Sequence, residues 1–326
     1  MDKVFVKELR ASQPVKGTFL VKEKNLSIDK KGHSFLSVIL CDKTGQVDAR
    51  VWDQAEEMNE LFEVDDFIFV KGTVQKFQNR NQVVIHNIET LSPSSVNIAD
   101  FLPTTNQNIE EMYLQLLKIS EEIHDPFIRS LVLNTLNDAE IQPLIKKCPA
   151  AKSVHHAYIG GLLEHTLSIC NVMKLISQNY KELNLDLLIF GAIFHDIGKV
   201  WELSFNTSIG YTDVGRLVGH ITLGSELVER KAKEIPNFPV ELKNVCKHLI
   251  LTHHGKLEYG SPKRPKFLEA VVVGMIDELD SRINSMMTYM NSQMSEADQK
   301  WSSYNTMYDR YFYLDILKRS NKKTET

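Results

Sequence analysis

What this chain has little of narrows its class before any motif is read. Four cysteines, Cys41, Cys148, Cys170 and Cys246, are scattered with no CxxC pair. That argues against a disulfide framework or a cysteine zinc cluster and leaves small buried hydrophobes. No apolar run approaches membrane-spanning length, and Met1-Asp2-Lys3 begins no signal peptide, so a cytoplasmic protein without a membrane partner is expected. A basic excess is missing too. The 38 Lys and Arg against 42 Asp and Glu leave a net charge of -4, so any surface for nucleic acid must be local. What remains is an ordinary globular composition, 43% hydrophobic and 25% charged, on 326 residues, enough for two cores.

Residues 1–92 alternate in the manner of strands. Gly17–Lys22, Ser34–Leu40, Gln46–Trp52, Phe67–Val74 and Gln82–Ile88 are strand-like, with turn chemistry at Asp29-Lys30-Lys31-Gly32 and Asp42-Lys43-Thr44-Gly45. A short helical piece, Gln54 to Leu61, precedes the fourth. Five strands in this arrangement predict a small closed β-barrel of the OB type, and the run resembles the OB modules of nucleic-acid proteins. Such barrels hold single strands through exposed aromatics and a cationic groove. The candidates are Phe35, Trp52, Phe77, Lys71, Lys76 and Arg80. Each aromatic taken alone fits barrel filling as well, and the module has no basic excess.

Polar residues 93–108, with Pro93 and Pro103, read as a linker. From Ile109 the period becomes helical, with Met112, Leu116, Ile119 and Ile123 on one face, and helices are expected to about Lys318. The centre of this half is Ile193-Phe194-His195-Asp196-Ile197-Gly198-Lys199, at the end of an apolar run read as a buried helix. An adjacent His and Asp are costly to bury unless something compensates them, and a divalent metal does so simply. Lys199, four residues after His195, could hold a phosphate beside it. Eight of the 11 histidines fall between His155 and His254: the pair His155-His156, His165, His195, His220, His248 and the pair His253-His254. Asp277 is a lone carboxylate in an apolar helix. Singly, each reads as a core or capping residue; together they fit one binuclear cluster.

The series His165, His195-Asp196, His220, His253-His254, Asp277 resembles the metal-binding pattern of HD-domain phosphohydrolases in their two-metal form. "AAKSVHHAYIGGLLEHT", "FHDIGKV", "YTDVGRLVGHI" and "LTHHGKLEYGSPKRP" resemble the YhaM family of 3′-to-5′ exoribonucleases, which place an OB module before the HD domain. The resemblance implies a multidomain β + α chain. An OB-fold five-stranded β-barrel (1–92) would be followed by a linker (93–108), an all-α HD domain (109–320) and a tail (321–326). It implies that His165, His195, Asp196 and Asp277 hold one divalent metal, and that Asp196 bridges to a second on His220, His253 and His254, with it left open which of His253 and His254 touches the ion and which supports it from behind. Manganese comes first, with Co, Fe, Zn or Mg as alternatives. Two such ions can activate water and clamp the oxygens of an in-line displacement.

Single-stranded RNA, with DNA left open, would then be cut from its 3′ end to 5′-nucleoside monophosphates. Asp196, Lys199, His155 and His156 are the catalytic candidates, the last two as substrate contacts or proton donors, with capping as their alternative role. Lys263 and Arg264 could hold backbone phosphates. Two other readings compete: an HD hydrolase of small nucleotides, and a non-catalytic single-strand-binding protein with structural metals. A homo-oligomer is open, since Tyr304, Tyr308, Tyr311, Phe312 and Tyr313 could pack on their own domain or on a neighbour.

Overall fold

Inward-facing residues at a spacing of two build the N-terminal half. Strands β1 (Pro14–Ile28), β2 (Ser34–Asp42) and β3 (Gly45–Val51), the short helix α1 (Ala55–Asn59), and strands β4 (Phe67–Phe77) and β5 (Arg80–Leu91) follow in chain order in a computed structural model that describes residues 4–78, 80–294 and 299–317. Leu36, Val38 and Leu40 on β2 and Val47, Ala49 and Val51 on β3 are buried while their neighbours face out. A one-residue slip would turn these sets to solvent, so the pattern fixes the register. The strands close into a barrel in the order β1-β2-β3-β5-β4, with β3 and β5 parallel and α1 between β3 and β4. This is the OB arrangement the turn and strand spacing predicts. Closure requires Gly72, at a break in the β4–β5 register, because a Cβ there would lie 2.3 Å from the Val84 carbonyl oxygen.

Residues 93–108, read as a polar linker, are anchored at two apolar positions. Phe101 is buried against Phe67 of the barrel, with ring centroids 4.7 Å apart, and Leu102 enters the helical core. The helices follow: α2 (Ile109–Glu121), α3 (Pro126–Leu136), α4 (Gln142–Lys147), α5 (Gly161–Asn179) and α6 (Leu185–Phe194). Asn108, Asp125 and Asn184 cap α2, α3 and α6, each accepting from two main-chain N–H groups. Beyond α6 come α7 (Lys199–Glu202), a two-residue ladder of β6 (Leu203–Ser204) with β7 (Gly210–Tyr211), α8 (Asp213–Leu217), α9 (His220–Lys233), α10 (Val240–Thr252) and α11 (Leu268–Gln293). Helix α6 is buried from Leu188 to Phe194 and packs on α3, α5, α10 and α11, which makes it the axis of this half.

Two expectations change. The His195-Asp196 pair is not inside a helix: α6 ends at Phe194, and both residues lie in the turn leading to α7. Helix α11 is apolar as expected around Asp277, and Leu268, Val271, Met275 and Leu279 form an exposed stripe on its opposite face. Residues 299–314 are not helical; bridges pair Trp301 with Tyr313 and Asn305 with Arg310. The expected tail, 321–326, and the last residues assigned to the helical domain, 318–320, lie outside the described residues, as do Met1-Asp2-Lys3. No helix among the described residues is long and apolar enough to cross a membrane.

Candidate metal centre

Three helix ends and two helix interiors bring distant residues to one point. His165 comes from the second turn of α5 and Asp277 from the third turn of α11. His195 and Asp196 leave the end of α6, His220 opens α9, and His253-His254 close α10. Helix ends suit this task because the chain turns there and can aim a short side chain inward. Gly198 permits one such turn to dock: a Cβ on it would lie 2.1 Å from the His220 carbonyl oxygen.

The imidazoles share one orientation. The Nδ1 atom of His195 faces the Ala192 carbonyl at 3.0 Å, that of His253 the Ile250 carbonyl at 2.7 Å, and that of His254 the Tyr259 carbonyl at 2.7 Å. The Nδ1 atom of His165 faces Asp280 Oδ2 at 2.7 Å and that of His220 faces Glu202 Oε1 at 2.9 Å. Carbonyls and carboxylates only accept, so each Nδ1 carries a proton and each Nε2 is the nitrogen turned to the centre.

Asp196 stands between two groups. Its Oδ2 lies 3.4 Å from His195 Nε2 and 3.8 Å from His165 Nε2, and Asp277 Oδ1 lies 3.2 Å from His165 Nε2. Its Oδ1 lies 3.5 Å from His220 Nε2 and 3.7 Å from His253 Nε2. The donor atoms of His165, His195, Asp196 and Asp277 fall within 4.8 Å of one another, and so do those of His220, His253 and His254.

Such a cluster cannot satisfy itself. Asp196 Oδ1, His220 Nε2 and His253 Nε2 are buried without a hydrogen-bond partner, and each orphan costs about 1–3 kcal/mol. His165 Nε2 and His195 Nε2 face each other at 3.2 Å. Burial opposes charge on His165, yet Asp277 and Asp280 at its two nitrogens outweigh it and raise its pKa to about 9. The position therefore favours a positive charge at Nε2, from a proton or from a metal. Burial drives His253 well below its ordinary value and keeps it a neutral donor. Burial would likewise raise Asp196, but Lys199, with His195 and His220, holds it well below the carboxylate range. Nitrogen and oxygen donors with orphaned lone pairs fit divalent cations.

A pocket of about 310 Å³ opens over the centre, with His155, Asp196, Lys199, His254, Tyr259, Asp277 and Glu278 in its wall. Lys199 is buried and donates to Asp196 Oδ2 at 2.6 Å. Burial, with Lys199 nearby, lowers His155 to about 4, so the ring facing the pocket is neutral. Of the two roles open to His156, the structure favours support of the site over contact with substrate. Its Nδ1 meets the Tyr158 hydroxyl at 2.7 Å and its Nε2 meets Asp280 at 3.0 Å, which leaves no nitrogen for a substrate. Lys263 and Arg264 are exposed in the turn after Tyr259.

On the barrel the candidates fall into two groups. Phe35 and Trp52 stack with centroids 5.1 Å apart, and Trp52 is 48% exposed. Lys76, Phe77 and Arg80 lie at the β4–β5 hairpin. The β3–β5 register puts Arg80 level with Gln46, six residues from Trp52 and about 20 Å away at strand rise. Lys71 is paired with Glu89 at 2.7 Å.

Sequence reasoning missed Asp280, Glu202 and Tyr259. The spacing of three that puts Asp280 on the face of Asp277 was a usable signal. Glu202 offered none, because its role depends on α9 folding back over α7.

The helical half matches a known domain. Residues 162–282 fit the family model described as HD domain, and residues 15–91 fit the one described as OB-fold nucleic acid binding domain. The HD match, which spans every donor named above, indicates metal-dependent phosphohydrolase chemistry in general. Among solved structures, the second OB-fold domain of replication protein A from Methanococcus maripaludis is 21% identical, over 28% of this chain and 96% of that one, at a TM-score of 0.23. The OB domain of a Methanosarcina mazei protein is 23% identical over 28% and 83%, at 0.23. A mitochondrial single-stranded DNA binding protein of S. cerevisiae is 11% identical over 26% and 98%, at 0.22.

Proposed function

We propose that this chain is a metal-dependent 3′-to-5′ exoribonuclease of the YhaM type, acting on single-stranded RNA with an HD domain that carries two divalent cations, manganese first among them. The observation that carries the reading is Asp196, whose two oxygens face two separate sets of inward-pointing imidazoles. His165, His195, Asp196 and Asp277 would hold one ion; His220, His253, His254 and the other oxygen of Asp196 would hold the second. Bound there, the ions would supply Lewis-acid activation of water and neutralise charge on a phosphodiester.

The remaining work falls to the chain. Lys199 already reaches the shared carboxylate and lines the pocket, so its ammonium is placed to meet a phosphate oxygen as charge develops. His155, neutral at the pocket wall, would hydrogen-bond the substrate rather than arrive as a ready acid. His156 supports the site from behind. Tyr259, 56% exposed in the wall, offers a face on which a terminal base can stack. The pocket, about 310 Å³, lies at the small end of the range for ligand sites, in keeping with one terminal residue entering at a time. The Phe35–Trp52 stack offers the incoming strand a platform on the barrel.

The test is full-length protein with 5′-labelled single-stranded RNA and Mn²⁺. A ladder shortening from the 3′ end with release of 5′-monophosphates is expected, and it should vanish in chelator and in Asp196→Ala. Untouched RNA alongside turnover of free nucleotides would sink the exoribonuclease reading in favour of a small-nucleotide hydrolase.

A further inference from the structure

The five inward-facing imidazoles are not tethered alike. Three anchor Nδ1 on main-chain carbonyls of their own turn or loop. The other two use carboxylates, and these two belong to different donor sets: His165 to the set with His195, Asp196 and Asp277, and His220 to the set with His253 and His254. Asp280 is itself held on several sides. Its Oδ2 accepts from His165 and, at 3.0 Å, from His156, while Oδ1 accepts from the Ser168 hydroxyl at 2.5 Å. His156 is fixed in turn by Tyr158 and by Asn284, whose Oδ1 accepts the His156 main-chain N–H at 2.9 Å.

This bracing has a consequence for His165. Without an acceptor at Nδ1, the ring could carry its single proton on Nε2 and donate it to His195 Nε2, 3.2 Å away. The pair would then be satisfied with no ion present. An acceptor-only group at Nδ1 forbids that arrangement and leaves the space between the two Nε2 atoms dependent on a positive charge.

We propose that Asp280 is a positioning residue which, by fixing the His165 ring with its Nε2 lone pair inward, sets the occupancy of one of two cation positions, while Glu202 does the same for the other through His220. The proposal rests on the two-cation reading above. It assigns the two outer carboxylates to separate ions, so loss of either affects one position and spares its neighbour.

Calorimetric titration of the metal-free, full-length protein with Mn²⁺ tests this without reference to activity. The unaltered protein is expected to take up two ions. Asp280→Ala should weaken one of them by about 10–100-fold and leave the second as it was. Asp280→Asn, which keeps an acceptor for the Nδ1–H, should lose less. Glu202→Gln should likewise weaken one ion, and joining it to Asp280→Ala should weaken both. If Asp280→Ala fails to fold by circular dichroism, Asp280→Asn and Ser168→Ala carry the test, each expected to weaken one ion only. Unchanged affinities in these variants, or an equal loss at both positions, would overturn the proposal. An unaltered protein that takes up no ion would instead remove the two-cation reading beneath it.

Discussion

Lys199 sits where two demands meet. Its ammonium is buried and bonded to Asp196 Oδ2, the oxygen that faces His165 and His195. Burial disfavours its charge, and Asp196 more than restores it, raising the pKa above the ordinary lysine value. It therefore remains charged near neutrality, and it competes with any ion for that oxygen. On the exoribonuclease reading proposed above, Lys199→Met should cut the turnover of RNA by about 10²-fold, the usual result of removing one donor to a developing oxyanion. The same change should leave Mn²⁺ affinity undiminished, since the competitor is gone. Single-turnover kinetics beside calorimetry would read both. A matching fall in affinity would mean that Lys199 builds the site rather than serving the substrate. Residue chemistry of this kind was legible early, because a His-Asp pair and an isolated Asp277 among apolar neighbours are expensive without a partner. The orientation of each ring was not, because it depends on which acceptor stands behind Nδ1.

Between elements, the distances that matter are set by glycines. Gly191 lets α6 lie close to α11: an added Cβ would meet Val273 Cγ2 at 2.5 Å. This contact fixes the α6 end, with His195 and Asp196, relative to Asp277 one turn further along α11. Gly191→Ala should destabilise the fold by about 1–3 kcal/mol through overpacking, seen as a lower urea midpoint with an unchanged slope. Gly198→Ala meets main chain rather than side chain, the His220 carbonyl at 2.1 Å, so the α6–α7 turn must move away from α9. It should therefore cost Mn²⁺ affinity as well as stability, whereas Gly191→Ala should act mainly on stability. The helices themselves were readable from apolar period and from caps such as Asn184. The position of the His-Asp pair was misread because the apolar run continues to Ile197, past the last helical hydrogen bonds. Periodicity cannot separate a buried helix from a buried turn, and only Gly198 hinted at the difference.

At the scale of the whole molecule the question is whether the barrel and the HD domain work on one strand. The barrel's closure was legible in its alternation and its turns. The ordering of residues 93–108 was not, because Phe101 and Leu102 are two apolar residues in a polar stretch and each needs a partner from a different half of the chain. The division of the barrel's surface candidates into two groups also needed the β3–β5 register. That division makes a prediction. If bases stack on the Phe35–Trp52 pair, Trp52→Ala should weaken binding of single-stranded RNA by about 1–3 kcal/mol, appearing as a raised KM. Turnover of bis(p-nitrophenyl) phosphate, a small diester with no bases to stack on the barrel, should stay the same. Lys76→Ala with Arg80→Ala, some 20 Å away at strand rise, should instead lower the salt dependence of RNA binding with little effect on base preference. Equal losses on RNA and on the small diester would show that Trp52 supports the fold. A KM for RNA indifferent to both barrel variants would leave recognition to Tyr259 and the HD pocket, and would assign the barrel a task other than holding the strand being degraded.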